Sequence, residues 1–452
     1  MKHYDVVIIG GGPGGLAAAK GAKENGARSV LVLERDTRLG GILNQCIHDG
    51  FGLIRYGSML TGPEYALRAE KEAVESGAEL LTGAMVTGLT ATRVVTAVTR
   101  QGLVQVQAGA VVLATGCRER TRGAVAIPGT RPAGIYTAGA AQNLMNTKNL
   151  LVGKRVVILG SGDIGLIMAR RLTLEGAQVL AVIEARNQPS GLERNVSQCL
   201  FDFGIPLHLG HTITEIQGRK RLESVTMSRL DQHNRPIPGT ETVIPCDTLL
   251  LSVGLIPENE IAAQAGTKLD PNTNGTITDD CLQTSIPGIF ACGNSRKVLD
   301  LADFVSLQGI TAGRNAAAFG KGQPLEPMPK GTSNAMAKGM PQPGAVTCIR
   351  CPKGCRVTLS PSGVQGNACP KGEEYARQEQ KAPSRVLTTT LLAPDGSLVP
   401  VKTSRPIPKD QVMVWAEQLR TIPAPAGLIR PGQILLRDPF GIQVDIVAAG
   451  TH

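Results

Sequence analysis

The sequence predicts an α/β chain, with two doubly wound parallel sheets followed by a small α+β domain. Three observations predict it. An apolar strand runs into a glycine-rich turn at residues 4–15. The same pattern returns at 154–184. Four of the ten cysteines then cluster at 348–369, beyond a stretch rich in Gly, Pro and Lys.

The 452 residues suffice for roughly three domains of ~150 residues. The 42% apolar content and 54 glycines suit a folded α/β chain, not a disordered one. No apolar run approaches the ~20 residues that span a bilayer. HYDVVIIGGG is already strand-like by residue 4, with no charged n-region or cleavage site before it, so a cytoplasmic protein is expected. Thiols stay reduced there, and ten cysteines then suggest metal ligands or redox groups. Net charge is +10, and residues 321–452 carry 16 Lys/Arg against 9 Asp/Glu. Aromatics are only 3% and do not interleave with the basic residues, which argues against nucleic-acid binding.

YDVVII (4–9), GGGPGG, the small-residue stretch LAAAKGAKENGA and SVLVLE (29–34) read as β-turn-α-β, the opening of a Rossmann-like sheet. Gly10, Gly12 and Gly15 form G-x-G-x-x-G. The first permits the tight turn, the second lets backbone approach a pyrophosphate, and the third allows close helix–sheet packing. Glu34 ends the next strand, placed to accept from a ribose hydroxyl. KRVVILG, SGDIG, LIMARRLTLEGA and QVLAVIE repeat the unit, with Gly160, Gly162 and Gly165 as the turn and Glu184 as the acid. An acid there favours NAD(H) over NADP(H), with Arg186 close by. The competing reading of this second turn is a site that no longer binds.

VVLATG (111–116) and SIPGIFACGN (285–294) resemble the second and third flavin-contact segments of the two-dinucleotide-binding-domain flavoproteins, a superfamily that includes thioredoxin and ferredoxin reductases. The resemblance covers residues 6–320. It implies FAD on the first turn, an FAD domain split by the NAD domain, and hydride exchange between nicotinamide and flavin. The boundaries expected are 1–118 and 256–320 for the FAD domain, 119–255 for the NAD(H) domain, 321–344 for a linker and 345–452 for a four-cysteine domain. The cofactor-contact set is Gly10, Gly12, Gly14, Gly15, Glu34, Arg35, Gly41, Ala114, Thr115, Gly116, Gly293 and Asn294 for FAD. Gly160, Gly162, Gly165 and Glu184 are the set for the nicotinamide nucleotide. Relatives often carry Asp where Asn294 stands. The resemblance also implies that the helix at 303–320 points its N-terminus at the flavin pyrimidine ring.

ATGCRER and the following PGTRPAGIYTAGAAQ look closest to flavoprotein subunits of hydrogen cyanide synthase and of opine and sarcosine oxidases. They also resemble an accessory flavoprotein encoded beside anaerobic glycerol-3-phosphate dehydrogenases, whose small companion protein has a pattern similar to residues 345–452. That similarity suggests a redox partner protein. The chain lacks the redox cysteine pair that disulfide reductases of the superfamily keep. Cys46, with His48 nearby, is the candidate reactive thiol and proton donor; the competing reading is a buried small hydrophobe and a structural histidine. Cys117, Cys199, Cys246, Cys281 and Cys292 read as packing.

The spacing Cys348-x2-Cys351-x3-Cys355-x13-Cys369 offers four thiolates, which hold zinc or an iron–sulfur cluster. Structural zinc usually takes two C-x2–4-C knuckles, so one compact triad and one distant ligand favour a [4Fe–4S] cubane, with zinc as the alternative. The pattern resembles the [4Fe–4S] segment at the start of molybdopterin oxidoreductases, with the fourth cysteine closer here. Arg350, Lys353, Arg356 and Lys371 interleave the ligands and offset the cluster's charge. The leading expectation is an NAD(H)-dependent FAD oxidoreductase acting as an electron-transfer module. The alternative is the flavoprotein component of a substrate dehydrogenase of glycerol-3-phosphate, opine or amine type, with a zinc-stabilised interaction tail.

Overall fold

A computed structural model describes residues 1–329, 336–361 and 363–450. Part of the expected linker, 330–335, lies outside the described residues. The chain divides into two compact units: Met1–Arg118 with Leu255–Asn334, and Glu119–Gly254 with Ala335–His452.

In the first unit the strand Lys2–Ile9 pairs in parallel with Val30–Leu33 on one side and Gly102–Leu113 on the other. Glu79–Leu81 extends the sheet beyond Val30–Leu33, and Ile289–Ala291 joins Gly102–Leu113 in parallel. Val6–Ile9 and Val30–Leu33 are buried throughout, as strands covered on both faces must be. The helices Pro13–Glu24 and Ala302–Gly320 lie almost backbone to backbone. A Cβ on Gly313 would sit 2.0 Å from the Ala18 carbonyl oxygen, and one on Gly309 would sit 2.2 Å from that of Gly14. Glycine at 309 and 313 is therefore what allows this crossing.

The second unit holds a parallel sheet ordered Ile135–Thr137, Thr248–Leu251, Arg155–Leu159, Gln178–Glu184, Leu207–Leu209. The C-terminal residues form an antiparallel sheet ordered Thr388–Leu392, Leu398–Thr403, Ile446–Ala448, Ile434–Leu436, with the helix Val412–Leu419 against it. Thr388–Leu392, Val412–Leu419, Ile434–Leu436 and Ile446–Ala448 fall in RVLTTTLLA, DQVMVWAEQLR, ILLRD and IQVDIVAA, which read in the sequence as a strand, a helix and two strands. The helix Pro370–Lys381 and the hairpin Arg356–Ser360/Gly363–Gln365 go beyond those runs. Proline at the first helical position after Cys369 is the available signal for the helix.

The C-terminal part does not hang free within its unit. Leu174, the last residue of the helix Asp163–Leu174, is buried in one apolar cluster with Val401, Trp415 and Ile446. The buried Arg171 donates to Asn146 Oδ1 (2.8 Å), Thr389 Oγ1 (3.1 Å) and Thr390 Oγ1 (3.2 Å), and pairs with Glu175 at 2.6 Å. Arg385 pairs with Asp202 and Glu379, and Lys409 joins Asp202 at 2.7 Å. Burial opposes the charge on Asp202, but Arg385 and Lys409 outweigh it and hold the carboxyl below its ordinary range.

Candidate functional site

Each dinucleotide turn is built at the carboxyl end of a central parallel strand. At the first, Gly10 has φ +107°, and a Cβ there would lie 2.4 Å from the Ala114 carbonyl oxygen. A Cβ on Gly15 would lie 1.8 Å from the Gly10 oxygen. Gly12 is the opposite case, with no atom within 4 Å of where its Cβ would be. That open cradle above a helix N-terminus fits a pyrophosphate. The buried Glu34 accepts from Gly11 N (2.7 Å) and Asp36 N (2.8 Å), which leaves lone pairs for a ribose diol. Gly41 lies over Gly12, its Cβ position 3.2 Å from the Gly12 Cα. Arg35 reaches Glu258 at 3.1 Å, and Thr115 Oγ1 donates to the Glu258 carbonyl at 2.7 Å. Gly116 has φ +73° and open space about its Cβ position. Gly293 N donates to Gln308 Oε1 (2.9 Å), and Gly14 packs near Val305 and Cys292. Asn294 accepts from Leu299 N (3.0 Å), while its Nδ2 lies 3.4 Å from Cys117 Sγ. Of the residues expected to hold FAD, Glu34, Gly41 and Ala114 lie directly against the first turn.

The helix N-terminus expected to face the flavin differs in one respect. Asp303 sits in its first turn, buried, and accepts from Gly52 N (3.1 Å) and Arg55 N (2.8 Å). The end therefore holds a loop of the 40–60 segment through a carboxylate, which opposes the positive field expected of a bare N-terminus. In that segment Cys46 is buried, and burial pushes its thiol up to about 12, so it is protonated at neutral pH. His48 is half-buried, its ring 5.0 Å from that of Phe51.

At the second turn Gly160 has φ +95° and packs on the Ser252 carbonyl, as Gly10 packs on that of Ala114. Gly162 starts the helix without a side-chain cap, and Gly165 packs on Ser252 and Gly160. LLLSVG (249–254) is the counterpart of VVLATG, a likeness available in the sequence. Glu184 accepts from Ser161 N (3.1 Å), Ser161 Oγ, Ser190 Oγ (2.7 Å) and Arg186 N (3.0 Å). Burial disfavours its charge, but these donors outweigh burial and keep the carboxyl below its ordinary range.

Sequence reasoning missed the strap formed by residues 187–192. Ser190 N donates to Ser161 Oγ (3.0 Å), Gly191 N to the Ser161 carbonyl (2.9 Å) and Leu192 N to Asp163 Oδ1 (2.7 Å). The strap continues into the short helix Glu193–Cys199. The Glu193 carboxylate, 0% exposed, accepts from Thr347 Oγ1 (2.9 Å) and Arg356 Nε (2.7 Å). Thr347 and Arg356 pair across strands immediately before Cys348 and after Cys355. The strap thereby joins the second turn to the cysteine cluster.

Cys348 is buried, Cys351 and Cys355 are half-buried, and Cys369 is exposed at the N-cap of Pro370–Lys381. Burial raises the Cys348 thiol most, the Arg350 N–H directed at its sulfur lowers it, and the charges of Cys351, Cys355 and Cys369 raise it. The four thiols thus share one neighbourhood. Among the described residues, however, no three Cys, His, Asp or Glu side chains close to metal-ligand geometry. The donor set itself, all thiols with a backbone N–H on one sulfur and a helix N-terminus at another, fits a thiophilic centre. Cys46, Cys199 and Cys292 are deeply buried, each thiol pushed to about 12 chiefly by burial.

Two sheets define an FAD-dependent oxidoreductase of the thioredoxin reductase type: each has parallel central strands ending in a G-x-G-x-x-G turn with an acid on the neighbouring strand. The first, expected to be parallel, is extended by the antiparallel strands Val94–Thr99 and Met85–Leu89. The chain belongs to the pyridine nucleotide-disulphide oxidoreductase family, which matches residues 4–316. Residues 370–449 match a second family, described as a protein of unknown function (DUF1667). One of the subunits of opine oxidase from Agrobacterium tumefaciens is 27% identical over 64% of this chain and 61% of its own length. The HcnB component of hydrogen cyanide synthase from Pseudomonas protegens is 27% identical over 64% of this chain and 65% of its own. The chain therefore spans less than two thirds of each of these relatives. Thioredoxin reductase of T. acidophilum shares the fold, with TM-score 0.58 at 22% identity, over 71% of this chain and 99% of that one. The family implies FAD and a nicotinamide nucleotide as cofactors. No helix among the described residues is long and apolar enough to cross a membrane.

Proposed function

We propose that the chain is an electron-transfer module that exchanges hydride between NAD(H) and FAD and relays single electrons through a cluster held by Cys348, Cys351, Cys355 and Cys369. The observation that carries this reading is the thiol cluster packed, through Glu193, onto the same unit that holds the second dinucleotide turn. FAD, when bound, supplies the exchange between two-electron and one-electron chemistry. The chain's own residues do the rest. The two glycine turns seat the pyrophosphates, and Glu34 and Glu184 orient the riboses. Cys46 enters as a protonated thiol that donates to the Ile42 carbonyl (3.3 Å), and with His48, two residues on, is proposed to handle a proton near the flavin. Lys353 and Arg356 line a cleft of about 540 Å³ together with Cys355, which suits an acidic redox partner. The partner envisaged is a component of an anaerobic dehydrogenase, in the cytoplasm.

The test is iron, zinc and acid-labile sulfide content on protein purified without oxygen, with an EPR spectrum after dithionite and flavin bleaching by NADH. About four iron and four sulfide per chain, a reduced-cluster signal and rapid bleaching are expected. One zinc without sulfide would sink the relay. The second reading is a component of a substrate dehydrogenase with a zinc-stabilised tail. It draws on the two relatives named as subunits, of opine oxidase and of hydrogen cyanide synthase, and it expects no bleaching by NADH.

A further inference from the structure

The two dinucleotide turns differ in charge. The first turn of the helix Pro13–Glu24 has no acidic residue, whereas the helix Asp163–Leu174 opens on Asp163. A helix N-terminus favours an anion through its free N–H groups and its dipole, and a carboxylate at the same place opposes one. A pyrophosphate seated on the second turn therefore meets a like charge that it does not meet on the first.

The cation that would offset it lies just beyond the strap. Arg194 is 5% exposed, and its Nη1 has no hydrogen-bond partner. Its Nε lies 3.4 Å from Asn195 Oδ1, and Asn195 Nδ2 donates to Asp163 Oδ1 at 2.8 Å. The guanidinium thus stands one side chain away from the first residue of the phosphate-binding helix. Buried polar groups in folded chains are nearly always satisfied, so an idle donor on a buried cation calls for a missing partner. The missing partner must be an acceptor, because Arg offers donors only, and an anion would also answer the buried charge.

We propose that Arg194 binds the pyrophosphate of the dinucleotide in the second site and offsets Asp163 there. This rests on the reading that NAD(H) occupies that site. The other anion within reach is the thiolate cluster, since a Cβ on Gly354 would lie 3.7 Å from Arg194 N. That approach is to the Arg194 main chain, while the side-chain contacts lead to Asp163, which favours the pyrophosphate.

The test uses the full-length, FAD-loaded protein and its Arg194→Gln and Arg194→Lys variants, with ADP-ribose binding measured by calorimetry. Losing a charged hydrogen-bond donor to phosphate weakens binding about ten- to a hundred-fold, so that loss is expected for Gln. Lys, which keeps the charge without the planar fork, recovers part of it. In NADH-driven flavin reduction the KM rises in the same order while the maximal rate holds. Equal ADP-ribose affinity in wild type and the Gln variant would overturn the proposal. So would equal weakening in both variants with a lowered melting temperature, which marks a structural role. Loss of cysteine-bound metal with ADP-ribose affinity unchanged would assign Arg194 to the cluster instead. A wild-type protein that binds no ADP-ribose removes the NAD(H) reading and this inference together; binding that is insensitive to Arg194 removes this inference alone.

Discussion

Glu193→Ala tests whether the strap fastens the cysteine cluster to the second dinucleotide turn. The Glu193 carboxylate is fully buried and holds Thr347 Oγ1 and both Nε and Nη2 of Arg356, the latter at 2.6 Å. Breaking a fully buried ion pair costs about 3–5 kcal/mol. The Arg356 side chain is 35% exposed and regains water when released, so the cost is nearer to about 1.5–3 kcal/mol, the range for hydrogen bonds to charged groups. For a unit of this size that lowers the melting temperature by about 3–12 °C. The assay is thermal unfolding of wild type, Glu193→Ala, Arg356→Ala and the double variant, with metal content beside each. The pair is in contact, so the double variant should cost less than the sum of the singles by about 1–3 kcal/mol. Additive effects, or melting and metal content both unchanged, would refute the reasoning.

Gly12→Ala should fold with a normal melting temperature yet purify with little flavin, because its Cβ meets only the space expected to hold the pyrophosphate. Gly15→Ala should fail to fold, with its Cβ 1.8 Å from a carbonyl oxygen; equal flavin loading in Gly12→Ala and wild type would count against the first site. In metal-stripped folded protein at about pH 8, iodoacetamide should label the exposed Cys369 first and leave Cys46 untouched, since its thiol is pushed to about 12. Early labelling of Cys46, read by mass spectrometry, would show a thiol activated against that expectation. The Asp202 carboxyl is held below its ordinary 3.8, so its pairing with Arg385 and Lys409 contributes fully above that pH and is lost as pH falls through the lowered value. Melting should therefore be insensitive to this group from about pH 8 to about 5 and fall at more acid pH; a loss between about pH 6 and 7 in wild type that Asp202→Asn abolishes would contradict it.

The glycine turns are legible in the sequence because their constraints are local. Gly10 and Gly160 need positive φ and close contact with the next central strand, and both demands are written in a short string after an apolar run. The acids Glu34 and Glu184 are legible for the same reason. Glu193 and Arg194 are not. The role of Glu193 depends on partners more than 150 residues away, at Thr347 and Arg356, and that of Arg194 on burial that a charged stretch does not advertise. The strap is hidden too, since Ser190 and Gly191 look like an ordinary loop until Ser161 and Glu184 are set beside them. Asp303 reads in the sequence as part of a helix whose end faces a cofactor, while its carboxylate is committed to Gly52 and Arg55.

The helix Asp163–Leu174 begins at the second dinucleotide turn and ends with Leu174 inside the C-terminal core. Its 12 residues make a stiff rod about 18 Å long. One end forms the second glycine turn and the other is anchored in the sheet that follows the cysteines, with Arg171 clamped to Thr389 and Thr390 on the way. The sheet that carries the second glycine turn and the sheet that follows the cysteines are consequently tied together by one helix. Leu174 and Arg171 belong to the packing of both sheets, so neither sheet buries its apolar face completely without the other.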